Sequence, residues 1–477
     1  MKLAKIDITY FRCFESLTLR LHPEINVIVG ANGAGKSSIL DAIAIALYEI
    51  VAANGGGGKS QRKMQGAALL PTDIYIDSSK SYGASWDENT DSYAIIGRKS
   101  FVQVSAMVSD YYYYIDDNSL KPLLDEESVL EWTEHITYRP PTSFSYDTST
   151  SERVSELHRY ITHLWEEIRK SPQALIPLSV VAYYRANRRM KGMPELGDIF
   201  KLDLARDKAF VNALDAAANF TAMCQWFYLR ENAELRANVN AQNGDNKEFA
   251  DLRAVRQALK LTIEGLERVY FDGSPPRLMV EIREFDGSSR AFELAQLSDG
   301  YRNLLALVLD FARRLAQANP NWPNPLEAPG ILLIDEIELH LHPRWQQQVI
   351  PALRAAFPNT QLIVSTHSPA VLTTVRREHI KLLGADHQFE QIPNDVGTYG
   401  ADNSRVLAEV FGTYSRPQNI DTVQQLAEYW QAVEAEEHDT DQAKALRQEL
   451  ESALGTSDPD LLRADLRIKQ LQFLKQR

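Results

Sequence analysis

A glycine-rich loop between an apolar run and a helical pattern constrains the fold of this chain more than any other feature. The run EINVIVG is short and almost continuously apolar, as in a strand buried inside a parallel sheet. The loop GANGAGKSS follows it, and SSILDAIAIALYEIVA then repeats apolar residues at helical spacing. Backbone N–H groups and a helix N-terminus surround a phosphate in this order of elements. The sequence therefore predicts a nucleotide-binding loop made by Gly30, Asn32, Gly33, Ala34, Gly35, Lys36, Ser37 and Ser38.

A second stretch, ANGGGGKSQ, starts at Ala53 and fits the same relaxed phosphate-loop pattern. It follows the C-terminal end of the predicted helix, where the dipole is negative and free carbonyl groups repel phosphate. The next residues, QRKMQGAALLPTD, do not continue as a clear helix. We therefore expect Lys36 to contact the phosphates and interpret Gly55 to Gly58 as a flexible surface loop.

Charge and composition exclude several classes of protein. The chain has 477 residues and a formal net charge of −13, which argues against a broad basic surface that coats nucleic acid. The densest basic stretch, with Arg185, Arg188, Arg189 and Lys191, could face solvent, a nucleotide or nucleic acid. No apolar run reaches the roughly 18 to 20 residues of a membrane helix, and the start lacks a signal-peptide core. With only two cysteines, we expect a cytoplasmic protein without membrane domain or disulfide framework.

Strand and helix patterns alternate along most of the chain. Apolar strands LIPLSVVAYY, GILLIDE and TQLIVST are separated by helical patterns, the last two by RWQQQVIPALRAAF. This alternation predicts an α/β fold with a parallel sheet covered on both faces. We expect a β-rich insert at about 93–151 that forms an antiparallel layer, a helical lobe at about 195–315 and a hairpin around Asp286-Gly287. These belong to a predicted first domain, 1–395, and a charged helical region is predicted at 396–477.

Downstream residues can supply the chemistry of nucleotide hydrolysis. In ILLIDE, four apolar residues place Asp335 at the C-terminal end of a strand, where it can hold Mg²⁺ through water. Glu336 follows as the candidate base for an attacking water. In LSDG, residues Leu297 to Gly300, the hydroxyl of Ser298 precedes a helix and can face an anion.

Taken in order, these motifs resemble those of ABC-type ATPases. LSDGY resembles the signature motif, the pair Asp335-Glu336 Walker B, ELHLHP the D-loop and STHSP, from Ser365, the histidine switch. Together with the phosphate loop and the opening ITYFRCFESLTLRL, they are similar to the RecF/SMC/OLD-like branch rather than to the transporter branch. The resemblance spans about residues 1–375 and implies an ABC-type ATPase head in the first domain.

The resemblance also implies a homodimer with ATP sandwiched between two copies. Lys36 would contact the phosphates, Ser37 and Asp335 would hold Mg²⁺, and Glu336 would polarise water. In the same arrangement His367 would sense the γ-phosphate, while Ser298 and Gly300 would act on the nucleotide held by the other copy. His340 and His342 belong to the D-loop motif, with a metal-binding pair as the alternative. No glutamine stands in an obvious Q-loop, so residues 184–189 or, less directly, Gln103 are candidates for that neighbourhood.

The sequence further resembles compact ATPases of phage-defence modules, namely the PtuA-type subunits of Septu systems and their retron-associated relatives. Mixed strands and short helices separate Ser37 from Leu297, which excludes a long coiled-coil arm. The spacing Asp439-Thr440-Asp441 lies in a helical charge run, so we expect no nuclease in this chain. The resemblance implies higher, even-numbered oligomers, a separate HNH nuclease of the PtuB type, and DNA contact through the complex. The alternatives are a RecF-like DNA-binding repair ATPase and an ATP-dependent scaffold without a nuclease.

Overall fold

The structure is a computed structural model of the chain. It describes residues 1–55, 73, 83–87, 92–96, 101–109, 112–114, 120–122, 130–139, 143–145, 152–187, 203–215, 220–239, 248–284, 286–414 and 416–475. These residues form two compact units, Met1–Ala401 and Asp402–Arg477.

Strands occur throughout the first unit. They are β1 (Lys2–Phe11), β2 (Phe14–Arg20), β3 (Ile25–Gly30), β4 (Gly83–Asp87), β5 (Ser92–Ile96), β6 (Phe101–Ser109), β7 (Tyr112–Tyr114), β8 (Leu120–Pro122), β9 (Leu130–Arg139), β10 (Ser143–Ser145), β11 (Val180–Tyr184), β12 (Leu266–Asp272), β13 (Arg277–Arg283), β14 (Ser289–Glu293), β15 (Gly330–Ile334), β16 (Thr360–Thr366), β17 (Ile380–Leu383) and β18 (Phe389–Glu390).

The α-helices lie in both units. They are α1 (Lys36–Ala53), α2 (Glu152–Lys170), α3 (Phe220–Val239), α4 (Ala250–Thr262), α5 (Asp299–Ala318), α6 (Pro343–Gln346), α7 (Val349–Ala356), α8 (Pro369–Leu372), α9 (Asn403–Glu409), α10 (Asp421–Glu434), α11 (Asp441–Leu454) and α12 (Pro459–Lys475).

The central sheet of the first unit has the strand order β11-β15-β16-β3-β17-β18. Its first five strands are parallel, and only β18 runs antiparallel to its neighbour. Strands β3, β11, β15 and β16 are buried along their whole length, which agrees with their continuous apolar sequences. The predicted α/β fold with a parallel sheet is therefore confirmed.

Helix α1 lies between two sheets. The second sheet is antiparallel, has the order β10-β9-β6-β1-β2 and contains strands from the predicted β-rich insert. Trp132 of β9 donates a hydrogen bond from its indole nitrogen to Ala46 O of α1 at 2.9 Å. Because both sides of α1 are covered, most of its residues are buried and its sequence is apolar nearly all round.

Two further predictions concern local elements. The hairpin around Asp286-Gly287 is present as the antiparallel pair β13 and β14. The single helix predicted for RWQQQVIPALRAAF is wrong in detail, because it is divided into α6 and α7. Pro351 has no N–H to donate to the carbonyl group four residues earlier, and proline is tolerated only in the first turn of a helix. The helix consequently restarts at Val349.

The second unit, residues 402–477, is helical in its described part, with helices α9 to α12. Its core is formed by Leu426, Tyr429, Val433, Leu450, Leu461 and Ala464. Arg416 connects the start of this unit to Asp458 at 2.8 Å and to Asp460 at 2.8 Å. Among the helices that the structure describes, none has the length and apolar content needed to span a membrane.

Candidate functional site

The phosphate loop joins β3 to α1 through two glycines in the left-handed region. Gly33 has φ 81° and Gly35 has φ 109°, values that favour glycine over every other residue. A Cβ atom on Gly35 would lie 2.6 Å from both Cys13 Sγ and Phe14 Cζ. The N-terminal hairpin therefore packs so closely against the loop that it leaves room for glycine only.

Lys36 occupies the first turn of α1 and is buried, with 5% of its surface exposed. Its ammonium group donates hydrogen bonds to Gly30 O and Ala31 O, both at 2.9 Å. Burial lowers the pKa of Lys36, and the negative charges of Asp335, Glu336 and Glu338 oppose that shift. The cation is therefore held at the loop by carbonyl oxygens that phosphate oxygens can replace.

Asp335 and Glu336 follow directly after β15, at the carboxyl end of the sheet. Asp335 is buried, and Ser365 of the neighbouring β16 donates a hydrogen bond from Oγ to Asp335 Oδ1 at 2.5 Å. The same hydroxyl oxygen accepts the N–H of Glu336 at 2.8 Å. Glu336 has φ 46°, so its backbone is in a conformation uncommon for a side chain of this size. One serine hydroxyl thus contacts both the carboxylate of Asp335 and the backbone of Glu336.

His367 follows the end of β16 and is oriented by Glu338. The backbone N–H of His367 donates to Glu338 Oε1 at 2.5 Å, and Glu338 Oε2 is buried without a hydrogen-bond donor among the described residues. Burial lowers the pKa of His367, and the nearby charge of Lys36 lowers it further. Because β15, β16 and β3 are adjacent and parallel, Asp335, His367 and the phosphate loop follow strand ends at one edge of the sheet.

Ser298 and Gly300 lie at the start of helix α5. Ser298 is exposed and caps α5, where its hydroxyl oxygen accepts the N–H of Tyr301 at 3.4 Å. A Cβ atom on Gly300 would lie 2.1 Å from His340 O, so the signature loop packs against the D-loop of its own chain. Ser298 borders an open groove of about 910 Å³ that is also lined by Trp345.

Asp41 of α1 connects the phosphate-loop helix to two other segments. It accepts hydrogen bonds from Arg12 Nη1 at 2.6 Å and from the hydroxyl of Tyr183 at 3.1 Å, and it pairs with Arg185. The guanidinium of Arg185 also lies over the ring of Tyr183, 4.5 Å from its centroid. Arg185, proposed from the sequence for the Q-loop neighbourhood, therefore contacts the helix that follows the phosphate loop.

The side chain of the next residue of β11, Tyr184, lies on the opposite face of the sheet. Its hydroxyl donates to Asp310 Oδ2 of α5 at 2.8 Å, and its carbonyl oxygen accepts the N–H of Asp335 at 2.9 Å. Asp310 is fully buried and pairs with Arg313 and Arg314, both at 2.8 Å. Adjacent tyrosines of one strand therefore hold α1 on one face and the helix after the signature loop on the other.

The structure also describes Gln103 and His342, two further candidates from the sequence. Gln103 lies in β6, where it is paired with Thr9 and His135. His342 accepts the N–H of Arg344 on Nδ1 at 3.3 Å and caps α6. Within the part of the chain that the structure describes, no group of three or more His, Cys, Asp or Glu side chains is placed to hold a metal ion.

Some candidates fall outside the described residues. These are Lys59 of the second glycine-rich stretch, and Arg188, Arg189 and Lys191 of the basic stretch. Gly55 is described and follows the C-terminal end of α1, where Asn54 donates from its amide to Ile50 O at 2.8 Å. The second stretch thus begins at the end of the helix that is unfavourable for phosphate, whereas the first lies at its N-terminus.

A phosphate loop and an acidic strand end on one parallel sheet, with a signature loop at the start of a helix packed on that sheet, define an ABC-type ATPase. Residues 25–373 match the family described as "AAA domain, putative AbiEii toxin, Type IV TA system". Because this match covers most of the chain, the protein belongs to that family. The predicted ATPase is confirmed at this level, while the roles of individual residues stay predictions.

Similar proteins are found among retron and Septu systems. The chain is 27% identical to the "Retron Ec83 probable ATPase" of Escherichia coli, over 98% of this chain and 87% of the relative. It is 27% identical to the "Retron Vc95 probable ATPase" of Vibrio cholerae serotype O1 biovar El Tor, over 80% and 73%. An 80-residue segment is 44% identical to "Septu protein PtuA" of Bacillus mycoides (strain KBAB4), over 17% of this chain and 11% of the relative. The predicted relationship to these systems is confirmed.

Two substitutions in the buried cluster around Asp310 should lower the free energy of unfolding by different amounts. Tyr184→Phe removes one hydrogen bond to a charged group and should lower the free energy of unfolding by about 1.5–3 kcal/mol. Asp310→Asn leaves two buried arginines without their carboxylate and should cost about 3–5 kcal/mol. Urea unfolding of both variants beside the parent chain measures the two values. Equal stability of all three proteins would show that the cluster does not hold α5 to the sheet.

Proposed function

We propose that this chain is the ATP-hydrolysing regulatory subunit of an anti-phage defence complex, in which ATP-dependent dimerisation controls a separate nuclease. One observation carries the proposal. Lys36, Asp335, Glu336 and His367 follow the carboxyl ends of adjacent parallel strands, while the exposed Ser298 borders a groove beside the D-loop. Such a site can bind a nucleotide, and we expect the group that closes over the γ-phosphate to come from the signature loop of a second copy.

The first step in the proposed function is nucleotide binding at the phosphate loop. The N–H groups of residues 33–38 and the N-terminus of α1 attract the β-phosphate. Lys36 exchanges its two carbonyl contacts for phosphate oxygens. Ser37 and Asp335 offer the hard oxygen ligands that Mg²⁺ requires, and the bound ion would neutralise charge on the phosphates.

Hydrolysis takes place once two copies have closed on the nucleotide. Glu336 accepts the proton of the water that attacks the γ-phosphorus atom, and ADP leaves with the electron pair of the broken P–O bond. The backbone N–H of Glu336 donates to Ser365 Oγ, which fixes the backbone that carries this base. His367, positioned through Glu338, contacts the γ-phosphate and thereby distinguishes ATP from ADP.

Dimerisation through the nucleotide comes between binding and hydrolysis. In a head-to-tail pair, Ser298 and Gly300 of each copy face the γ-phosphate bound by the other. Because the signature loop and D-loop pack together in one chain, both can approach the partner as one surface. ATP favours the closed dimer, and hydrolysis removes the bridge, so nucleotide state shifts the population of dimers.

The partner assignment draws on the relatives. One retron ATPase matches nearly the whole chain, and a Septu PtuA protein matches a segment of it. We assign residues 1–395 to the ATPase domain and residues 396–477 to contacts with further copies or with the nuclease, which we expect to be of the HNH type. DNA would be contacted through this complex.

The choice between the two glycine-rich stretches is tested by a matched pair of variants. Lys36→Ala should weaken ATP binding by at least about tenfold, because a charge-assisted contact worth roughly 1.5–3 kcal/mol is lost. Lys59→Ala is the control and should leave affinity unchanged. Isothermal titration calorimetry with MgATP measures both. Loss of binding in Lys59→Ala alone would assign the site to the second stretch.

Dimerisation is tested in a variant that binds ATP without hydrolysing it. Glu336→Gln should accumulate an ATP-dependent assembly with an even number of copies, seen by size-exclusion chromatography with light scattering. Adding Ser298→Arg to the same variant should prevent ATP from changing the mass, while ATP binding to the single chain persists. If mass is independent of ATP in Glu336→Gln, the sandwich is wrong.

Control of a nuclease is tested by purification from the native operon. A tagged chain should retain a nuclease encoded beside it, and the amount retained should differ between Glu336→Gln with ATP and Lys36→Ala. Recovery of the chain without any nuclease under both conditions would favour a scaffold. Salt-dependent binding of the isolated chain to DNA would favour the repair-type alternative.

A further inference from the structure

A turn that follows β17 reaches the phosphate loop through His387. The imidazole Nδ1 lies 2.8 Å from Ala34 O, in the middle of the loop. A carbonyl oxygen can only accept a hydrogen bond, so the ring must carry a proton on Nδ1 and donate it. His387 lies beyond the matched family segment, which ends at residue 373, and none of the sequence motifs includes it.

The turn is built so that His387 faces the loop. His387 has φ 61°, a left-handed conformation that is uncommon outside glycine. The turn is closed by bonds from Gly384 N to Gln388 O at 2.9 Å and from His387 N to Gly384 O at 3.2 Å. Gln388 also donates from Nε2 to Ser16 O at 3.0 Å, which connects the turn to β2.

The ring of His387 is also fixed by packing. Its edge meets the ring of Phe14, with the centroids 5.9 Å apart and the planes at 80°. Phe14 is fully buried and is one of the two side chains that press against Gly35. His387 and Phe14 therefore support the phosphate loop from one continuous surface.

The bond to Ala34 has a consequence for the next peptide group. In a trans peptide the carbonyl of Ala34 and the N–H of Gly35 point in opposite directions. Holding the carbonyl toward His387 directs the Gly35 N–H away from it, and phosphate loops bind through such N–H groups. Without a fixed carbonyl, glycine at positions 33 and 35 lets the loop sample many conformations.

We propose that His387 is a positioning residue for ATP: by donating Nδ1–H to Ala34 O, it pre-organises the phosphate loop with the Gly35 N–H directed at the nucleotide. The inference rests on the ATP site proposed above. His387 would contribute to the affinity for ATP and not to the chemical step. A loop already in its binding conformation loses less entropy when the ligand binds.

The test compares three variants of the full chain by calorimetry with MgATP and by steady-state ATPase assays. His387→Ala should raise Kd and KM by about five- to tenfold, the equivalent of one hydrogen bond, while kcat at saturating ATP is preserved. His387→Asn places an amide N–H near the position of Nδ1 and tolerates positive φ, so it should recover most of the affinity. Gln388→Ala changes the same turn without touching the loop and should bind ATP like the parent chain.

Each outcome decides the proposal. Unchanged Kd and KM in His387→Ala would overturn it, as would His387→Asn that binds as weakly as His387→Ala. Equal weakening by Gln388→Ala would assign the effect to displacement of the turn rather than to the imidazole, and would also overturn it. If the parent chain itself fails to bind ATP, the proposed function fails first, which separates the two results.

Discussion

The parallel alignment of β15, β16 and β3 is the constraint on which the site depends. Adjacent parallel strands place their carboxyl ends at one edge of the sheet, and here these ends carry Asp335, His367 and the phosphate loop. The bond from Ser365 to Asp335 then ties two of these ends together. A shift of one residue in either strand pairing would move a side chain to the other face of the sheet and dismantle the site.

The same alignment underlies the role of a second copy in the proposed assembly. Residues that follow the strands in one chain supply the phosphate loop, the acidic pair and the histidine, but Ser298 begins a helix that packs on the sheet at Tyr184. Its hydroxyl opens onto a groove with Trp345. In the proposed assembly, each chain therefore contributes one side of two sites, and ATP acts as part of the interface.

Much of this arrangement could be predicted from sequence because its signals are local. A buried strand, a glycine loop and a helix are adjacent along the chain around Gly30, and ILLIDE carries its own strand and acidic pair. The role of Ser365 was not predicted, although the STHSP motif contains it, because its partner Asp335 lies on a different strand.

The contacts of Asp41, Tyr183 and His387 could not be predicted from the sequence. His387 and Ala34 are 353 residues apart and meet only in the folded sheet, so no spacing rule connects them. A local rule also failed to show where helix α7 begins, since a proline within a helical pattern can break, bend or restart it.

The central claim, that each ATP site is completed by Ser298 of another copy, is tested most directly by mixing two inactive variants. Lys36→Ala binds ATP too weakly to fill its own site at the ATP concentration of the assay but presents Ser298, whereas Ser298→Arg binds ATP but cannot complete a site. If the sites are shared, ATP hydrolysis is absent in each variant alone and returns when the two are mixed, because half of the sites in a mixed dimer are intact. If each chain forms its own site, the mixture stays inactive, and that result would contradict the account.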